Sequence, residues 1–249
     1  MGKVWFVGAG PGDPELLTLK GRALIERAGA ILYAGSLVSE AATRFAPPAC
    51  EIVDSRDMTL ERITDWLIEK AATHATVVRL QTGDPTLYGA LIEMVQPLDA
   101  AGVEIGVVPG VSSAMASAAA AVESLTLPEV TQTVILTRIE GRTPMPEGES
   151  LQELAQHHCT LCLFLSITLL HKVTDALRTA GWSADAPVLV VHKASWPEEE
   201  KIIRGTLADI RDKCRAEKVA SQAMIIASPA LGARQWPELK KSKLYDAAF

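Results

Sequence analysis

Apolar positions recur along this chain in two rhythms, and the two alternate. Short, nearly continuous apolar runs rich in Val and Ile predict strands over 3–7, 30–33, 51–53, 76–80 and 103–108. Between them the spacing turns helical. Leu60, Ile63, Leu67 and Ala71 fall on one helix face, with Asp57 or Thr59 available as N-cap. Residues 87–101 and the Ala-rich 112–122 predict two further helices. Strands buried on both faces and separated by helices predict a mostly parallel, doubly wound α/β sheet.

The rhythm breaks at 125–131, where a Leu-Pro-Glu interrupts it, and a new strand is expected from Thr133. A loop with two prolines and two glycines follows over 141–148. Further strands are expected near 161–165, 188–192, 201–205 and 223–227, and helices near 151–157, 169–180 and 207–217. These elements predict two α/β domains, 1–124 and 125–249, the second with a mixed sheet. No short repeat or low-complexity segment appears.

Composition narrows the function classes. The 249 residues are 48% hydrophobic and 22% charged, which is ordinary for a globular protein. With 24 basic and 30 acidic side chains the net charge is −6, and a nucleic-acid partner would want a basic face instead. No apolar run approaches the roughly 20 residues that span a bilayer, and the start shows no secretory pattern. Four unevenly spread cysteines, Cys50, Cys159, Cys162 and Cys214, fit reduced thiols in a cytoplasm. The Cys159/Cys162 pair sits in an apolar, strand-like run without a second pair, so a core role is expected and no metal.

Three Gly/Pro loops follow first-half strands. The first, Gly8-Ala-Gly-Pro-Gly-Asp-Pro, fails the dinucleotide fingerprint because Asp13 stands where the third glycine belongs. It fails the ATP-binding pattern as well, since the order is Lys20-Gly21 and no Lys-Ser/Thr follows. The second is Gln81-Thr-Gly-Asp-Pro-Thr-Leu-Tyr-Gly, and the third is Pro109-Gly-Val-Ser-Ser. Carboxyl ends of parallel strands form the ligand crevice of such sheets, so the three loops predict a ligand site there. A non-catalytic binding protein would satisfy this pattern as well as an enzyme.

Together the three loops resemble those of the tetrapyrrole methylases, and the resemblance spans essentially the whole chain. It implies transfer of a methyl group from S-adenosylmethionine to a carbon of a tetrapyrrole. Tyr33-Ala-Gly-Ser-Leu-Val, Pro128-Glu-Val-Thr-Gln-Thr-Val-Ile-Leu-Thr-Arg, Glu140-Gly-Arg-Thr-Pro, Phe164-Leu-Ser and Lys193-Ala-Ser-Trp-Pro-Glu resemble the branch that methylates C-11 of precorrin-4 or cobalt-precorrin-4. Another carbon of uroporphyrinogen III or of a different precorrin is the alternative. The uroporphyrinogen-III branch usually carries Asp where this chain has Ala34, so a base role at that position does not transfer. The end at Asp246-Ala-Ala-Phe is expected to fall short of the family's last few residues.

By this resemblance, cofactor contacts fall on Pro11, Thr82, Gly83, Asp84, Leu87, Ser112 and Ser113, with Ser166 and Ala194 from the second half. The implied cofactor lies in a cleft between the two α/β domains, and a homodimer is implied. The implied substrate is a polycarboxylate, so basic groups should gather where it enters. Arg22, Arg56, Arg79, Arg138, Arg142 and Lys193 are the candidates. Arg138, Arg142 and Lys193 are assigned to substrate, the first two because they border the Gly/Pro loop. Tyr33, Asp13, His192 and Lys193 are available as a base, and the sequence selects none of them. Trp196 is available to stack on the macrocycle or to pack in a core.

Overall fold

In the computed structural model, which describes residues 1–239 and 242–243, the expected first-half strands all form. They are β1 (Lys3–Gly8), β2 (Ala30–Tyr33), β3 (Glu51–Asp54), β4 (Thr76–Gln81) and β5 (Glu104–Val108). They join in the order β3-β2-β4-β1-β5, every pairing parallel. Parallel neighbours need crossovers, and three of these carry α1 (Leu19–Ile25), α2 (Leu60–Thr73) and α3 (Leu91–Ala100).

Side-chain alternation sorts the strands onto two cores. Val7, Ile31, Val78 and Leu80 pack with Leu24 and Ile25 of α1 on one face. Val4, Phe6, Leu32 and Val77 pack with Ile63 and Leu67 of α2 and Met94 and Leu98 of α3 on the other. Burial on both faces explains why the strands read as continuous apolar runs. Of the two candidate caps for α2, Thr59 is used, its hydroxyl accepting from the Arg62 amide at 3.4 Å.

The helix expected over 87–101 begins only at Leu91. Tyr88 and Ala90 hold φ of 54° and 49°, left-handed values that no α-helix propagates through, so Leu87 lies in a loop. The last helix before the break, α4 (Ser113–Ala120), ends before Val122, which is again left-handed at φ 55°.

The chain divides into two compact units. One is Met1–Ser113 with Ser195–Pro197, and the other is Ala114–Ala194 with the described chain from Glu198. The division precedes the expected boundary at 125 because residues ahead of that point bond within the second unit. The Ala121 carbonyl accepts from Arg204 Nη2 at 2.5 Å, and Glu123 pairs with Arg204.

The second unit contains β6 (Val134–Arg138), β7 (Thr160–Phe164), β8 (Pro187–His192), β9 (Lys201–Thr206) and β10 (Ala223–Ala227). Their order is β6-β7-β10-β8-β9, with β6 and β7 parallel and the other pairs antiparallel. This is the mixed sheet expected. Its helices are α5 (Leu151–Ala155), α6 (Leu170–Thr179) and α7 (Ile210–Ala216). They cover one face, setting Leu151, Val173, Leu177 and Ile210 against Leu161, Leu163, Val190 and Ile225. The terminal residues 246–249 lie outside the described residues. Among the described residues, no helix is long and apolar enough to cross a membrane.

Candidate functional site

Strands β4, β1 and β5 are neighbours, so the loops that leave their carboxyl ends lie side by side. Gly8 is in register with Gln81, and Val7 with Val108. Backbone then joins the first two loops directly. The Gly83 amide donates to the Gly10 carbonyl at 2.8 Å, and the Gly10 amide donates back to the Gly83 carbonyl at 3.3 Å. The third loop is tied in by Asp84, whose Oδ2 accepts from the Gly110 amide at 3.0 Å. Its Oδ1 accepts from the Thr86 amide at 2.8 Å and the Thr86 hydroxyl at 2.5 Å. Burial pushes the Asp84 carboxyl up, but these hydrogen bonds outweigh it and hold the group below its ordinary value.

Two glycines are required here by space. A Cβ on Gly8 would stand 2.6 Å from Gly110 Cα and from the Gly83 carbonyl oxygen, and one on Gly110 would stand 2.1 Å from that oxygen. Gly83 is required by conformation, with φ +59°. A side chain there would point toward Ser112 Cα at 3.7 Å and the Ser113 amide at 3.8 Å. Thus Pro11, Thr82, Gly83, Asp84, Ser112 and Ser113 sit on three loops bolted together at one edge, with half-buried Leu87 in the second.

A segment distant in sequence holds the first loop. The Trp196 indole donates to the Pro11 carbonyl at 2.9 Å, and the Asp13 amide donates to the Ser195 hydroxyl at 3.1 Å. Trp196 is half-buried, with its indole N–H spent on the first loop. Nothing local in the sequence marks this pairing.

The other half of the edge is the β2–β3 side. Asp54 Oδ1 accepts from the Gly35 and Arg56 amides, both at 2.9 Å, and Arg56 Nη2 donates to the Gly35 carbonyl at 2.7 Å. Arg79 is not at a mouth: it is 5% exposed, and its Nη1 donates to the Ser55 hydroxyl at 2.8 Å. Burial lowers its pKa to about 10, against the opposing pull of Asp54. It shares a face of β4 with Val77, which packs against α2 and α3, and a sequence count of basic residues cannot see that. Arg22 is paired with Glu26. Burial, then Asp54 and Glu40, raise the Tyr33 phenol above its ordinary value, leaving it a donor at neutral pH rather than a base.

In the second unit, β6 and β7 run parallel, and β8 runs with them across the antiparallel β10. Their carboxyl ends therefore share one end of the sheet, which collects Arg138, Arg142, Ser166, Lys193 and Ala194. The Ser166 hydroxyl is spent internally, accepting from the Ile139 amide at 2.9 Å and donating to the Phe164 carbonyl at 2.6 Å. Arg138 spends its guanidinium on its own loop, donating to the Thr143 and Pro144 carbonyls, each at 2.9 Å. Lys193 pairs with Glu199, while Arg142 is exposed. Ala194 is buried between Lys193 and Ser195, which hold φ of 47° and 67°.

Of the remaining base candidates, Asp13 caps the following turn, accepting from the Glu15 amide at 2.8 Å. His192 Nδ1 lies 2.9 Å from the Ser221 carbonyl. Cys159 packs with Leu161 and Leu163, and alternation sends Cys162 to the opposite face, so the two thiols do not converge. Burial raises the Cys162 thiol to about 12. Among the described residues, no group of three or more His, Cys, Asp or Glu is placed to hold a metal.

Comparison with known proteins agrees with this layout. The family model for Tetrapyrrole (Corrin/Porphyrin) Methylases matches residues 3–211. The cobalt-precorrin-4 C(11)-methyltransferase of Priestia megaterium is 48% identical over 247 residues, 99% of this chain and 95% of that one. The X-ray structure of a cobalamin biosynthetic enzyme, cobalt precorrin-4 methyltransferase, superposes with a TM-score of 0.88 at 49% identity, covering 92% of this chain and 95% of that one. A uroporphyrin-III C-methyl transferase from Thermus thermophilus, complexed with S-adenosyl homocysteine, gives 0.76 at 30% identity, covering 93% and 94%.

Proposed function

The chain belongs to the tetrapyrrole (corrin/porphyrin) methylases, and from that premise we propose that it methylates C-11 of precorrin-4 or cobalt-precorrin-4, with S-adenosylmethionine as donor, in construction of the corrin ring of cobalamin. The observation that carries the reading is full-length likeness to a relative named for that reaction. The bolted loops support its cofactor half.

Those loops fit such a cofactor. Gly83 carries no side chain into the loop edge, Asp84 is fixed as an ionised acceptor, and no basic side chain stands on the 82–87 or 109–113 stretch to repel a cation. We assign the cofactor to Pro11, Thr82, Gly83, Asp84, Leu87, Ser112 and Ser113, and the family resemblance adds Ser166 and Ala194. When bound, the cofactor supplies an electrophilic methyl on a sulfonium. The protein's part is chiefly alignment of a nucleophilic ring carbon with that methyl, worth up to about 7–11 kcal/mol of barrier when the geometry is right. Loops cross-linked by their own backbone suit that task because they lose little freedom on binding. Tyr33, held protonated, is a hydrogen-bond donor for the ring's carboxylates. Arg142, exposed on the Gly/Pro loop, is the first anchor for them. Arg138 holds the loop that carries it, and Lys193 is shared with Glu199.

The test is incubation with a precorrin-4-generating mixture and S-adenosylmethionine labelled with carbon-13 in its methyl group, with the product read by NMR. Label at C-11 is expected. Label at another ring carbon would overturn the regiochemistry, and no label transfer would overturn the activity. Activity is expected to survive exhaustive chelation, because methyl transfer from a sulfonium needs no metal on the protein. Light scattering at micromolar concentration is expected to give a homodimer.

A further inference from the structure

The first Gly/Pro loop is poor in groups that could fix its own shape. Pro11 and Pro14 have no amide to donate, which leaves the Gly12 and Asp13 amides and the carbonyls of the turn. Two of these are satisfied from more than 180 residues away, at separations of 185 and 182. The Trp196 indole donates to the Pro11 carbonyl at 2.9 Å, and the Ser195 hydroxyl accepts from the Asp13 amide at 3.1 Å. The indole also lies directly on Gly12: a Cβ there would stand 2.1 Å from its Cδ1 and 2.5 Å from its Nε1. Gly12 is a glycine because a ring occupies the place of its side chain.

The segment that delivers the ring is constrained. Lys193, Ser195 and Glu198 all hold positive φ, at 47°, 67° and 63°, although none is glycine. Such conformations are costly for non-glycine residues and persist where the surroundings over-determine them. Ser195–Pro197 packs as part of the first unit although the chain on either side belongs to the second. Lys193 and Glu199, which flank it, form an ion pair.

We propose that Trp196 is a positioning residue: with Ser195 it clamps the Pro11–Asp13 turn from outside and so fixes the part of the cofactor loop that cannot fix itself. This deepens the cofactor assignment above and rests on it for its effect on activity. Trp196 touches the turn rather than the reacting atoms, and its influence passes through Pro11.

The experiment is calorimetric titration of S-adenosylhomocysteine into the full chain and its variants, together with amide exchange of the 8–17 peptide in ligand-free protein. Trp196→Phe keeps a ring on Gly12 and loses only the N–H donor; its Kd is expected to rise about three- to tenfold. Trp196→Ala is expected to weaken binding further and to speed exchange in 8–17. Gly12→Ala should weaken binding in the native background, because the methyl displaces the indole. In the Trp196→Ala background the same change should add less than about twofold, since the methyl then has room. The KM for the cofactor should rise in Trp196→Phe while the KM for the tetrapyrrole stays unchanged, a split that general destabilisation would not produce. Native affinity in both Trp196 variants, or a Gly12→Ala effect of equal size in both backgrounds, overturns the clamp. A native protein without affinity for S-adenosylhomocysteine overturns the cofactor assignment instead. The exchange comparison then still decides the clamp, and unchanged exchange in Trp196→Ala overturns it.

Discussion

At Asp84, a carboxylate that in sequence is only an Asp before a proline does the work of a cross-link. It ends its own loop through Thr86 and reaches the Gly110 amide of another. Because these bonds hold its folded-state pKa below the ordinary value, the unfolded chain binds its proton more readily. The stability it contributes is present above the ordinary carboxylate range of about 4 and is lost as pH falls through the folded value. Asp84→Asn is therefore expected to be less stable at neutral pH, with the gap closing as pH falls below the ordinary carboxylate range. Urea unfolding of the two proteins across that range measures it, and a pH-independent gap would show that the charge at Asp84 is immaterial. Gly83 is a different single-residue case. Gly83→Val must adopt φ +59° at a cost of about 1–2 kcal/mol and aims a side chain at the third loop. Loss of S-adenosylhomocysteine binding with a cooperative unfolding transition retained is the expected result. Undiminished affinity would remove Gly83 from the site.

Among the elements, what was legible in the sequence was whatever a local rhythm records. The strands β1 to β5 and the two amphipathic faces of α2 and α6 needed only nearest neighbours along the chain to be seen. The start of α3 was not legible, because nothing in Leu-Tyr-Gly-Ala announces left-handed Tyr88 and Ala90. The burial of Arg79 was hidden for a related reason: Phe6 and Leu32, which flank it, come from other strands, and Ser55, which it bonds, comes from the loop after β3. Gly8, Gly83 and Gly110 could be read as loop glycines, but which need space and which need positive φ is decided only where the loops meet. That difference is measurable. Gly8→Ala drives a Cβ to 2.6 Å from backbone of two other loops and should cost about 1–3 kcal/mol or more. Gly102→Ala, at φ +70° with nothing within 4 Å of the added carbon, meets only the conformational cost of about 1–2 kcal/mol. Denaturant midpoints should rank Gly8→Ala as the more damaging, and it alone should weaken S-adenosylhomocysteine binding. The reverse ranking would mean that the loops part easily and are not bolted.

For the whole molecule, charge sets a conflict that a single salt titration can resolve. The chain carries a net −6, yet the proposed substrate is a polycarboxylate, so the two should repel at long range. At physiological ionic strength the screening length is about 8 Å, which already removes most of that distant repulsion. What remains is contact, and there a guanidinium gripping a carboxylate through two hydrogen bonds is worth about 1.5–3 kcal/mol when partly desolvated. Local attraction through Arg142 should therefore outweigh the global field. Raising salt from about 0.15 to 0.5 M, where screening shortens further, should raise the KM for the tetrapyrrole severalfold and leave kcat nearly constant. Arg142→Ala should raise KM by about ten- to a hundredfold at low salt, since 1.4 kcal/mol is a factor of ten, and flatten the salt dependence. Its affinity for S-adenosylhomocysteine should stay within about twofold of native, because those contacts are assigned to other loops. A KM that falls with added salt would instead show the net negative charge in control, and Arg142 would lose its assignment as the anchor.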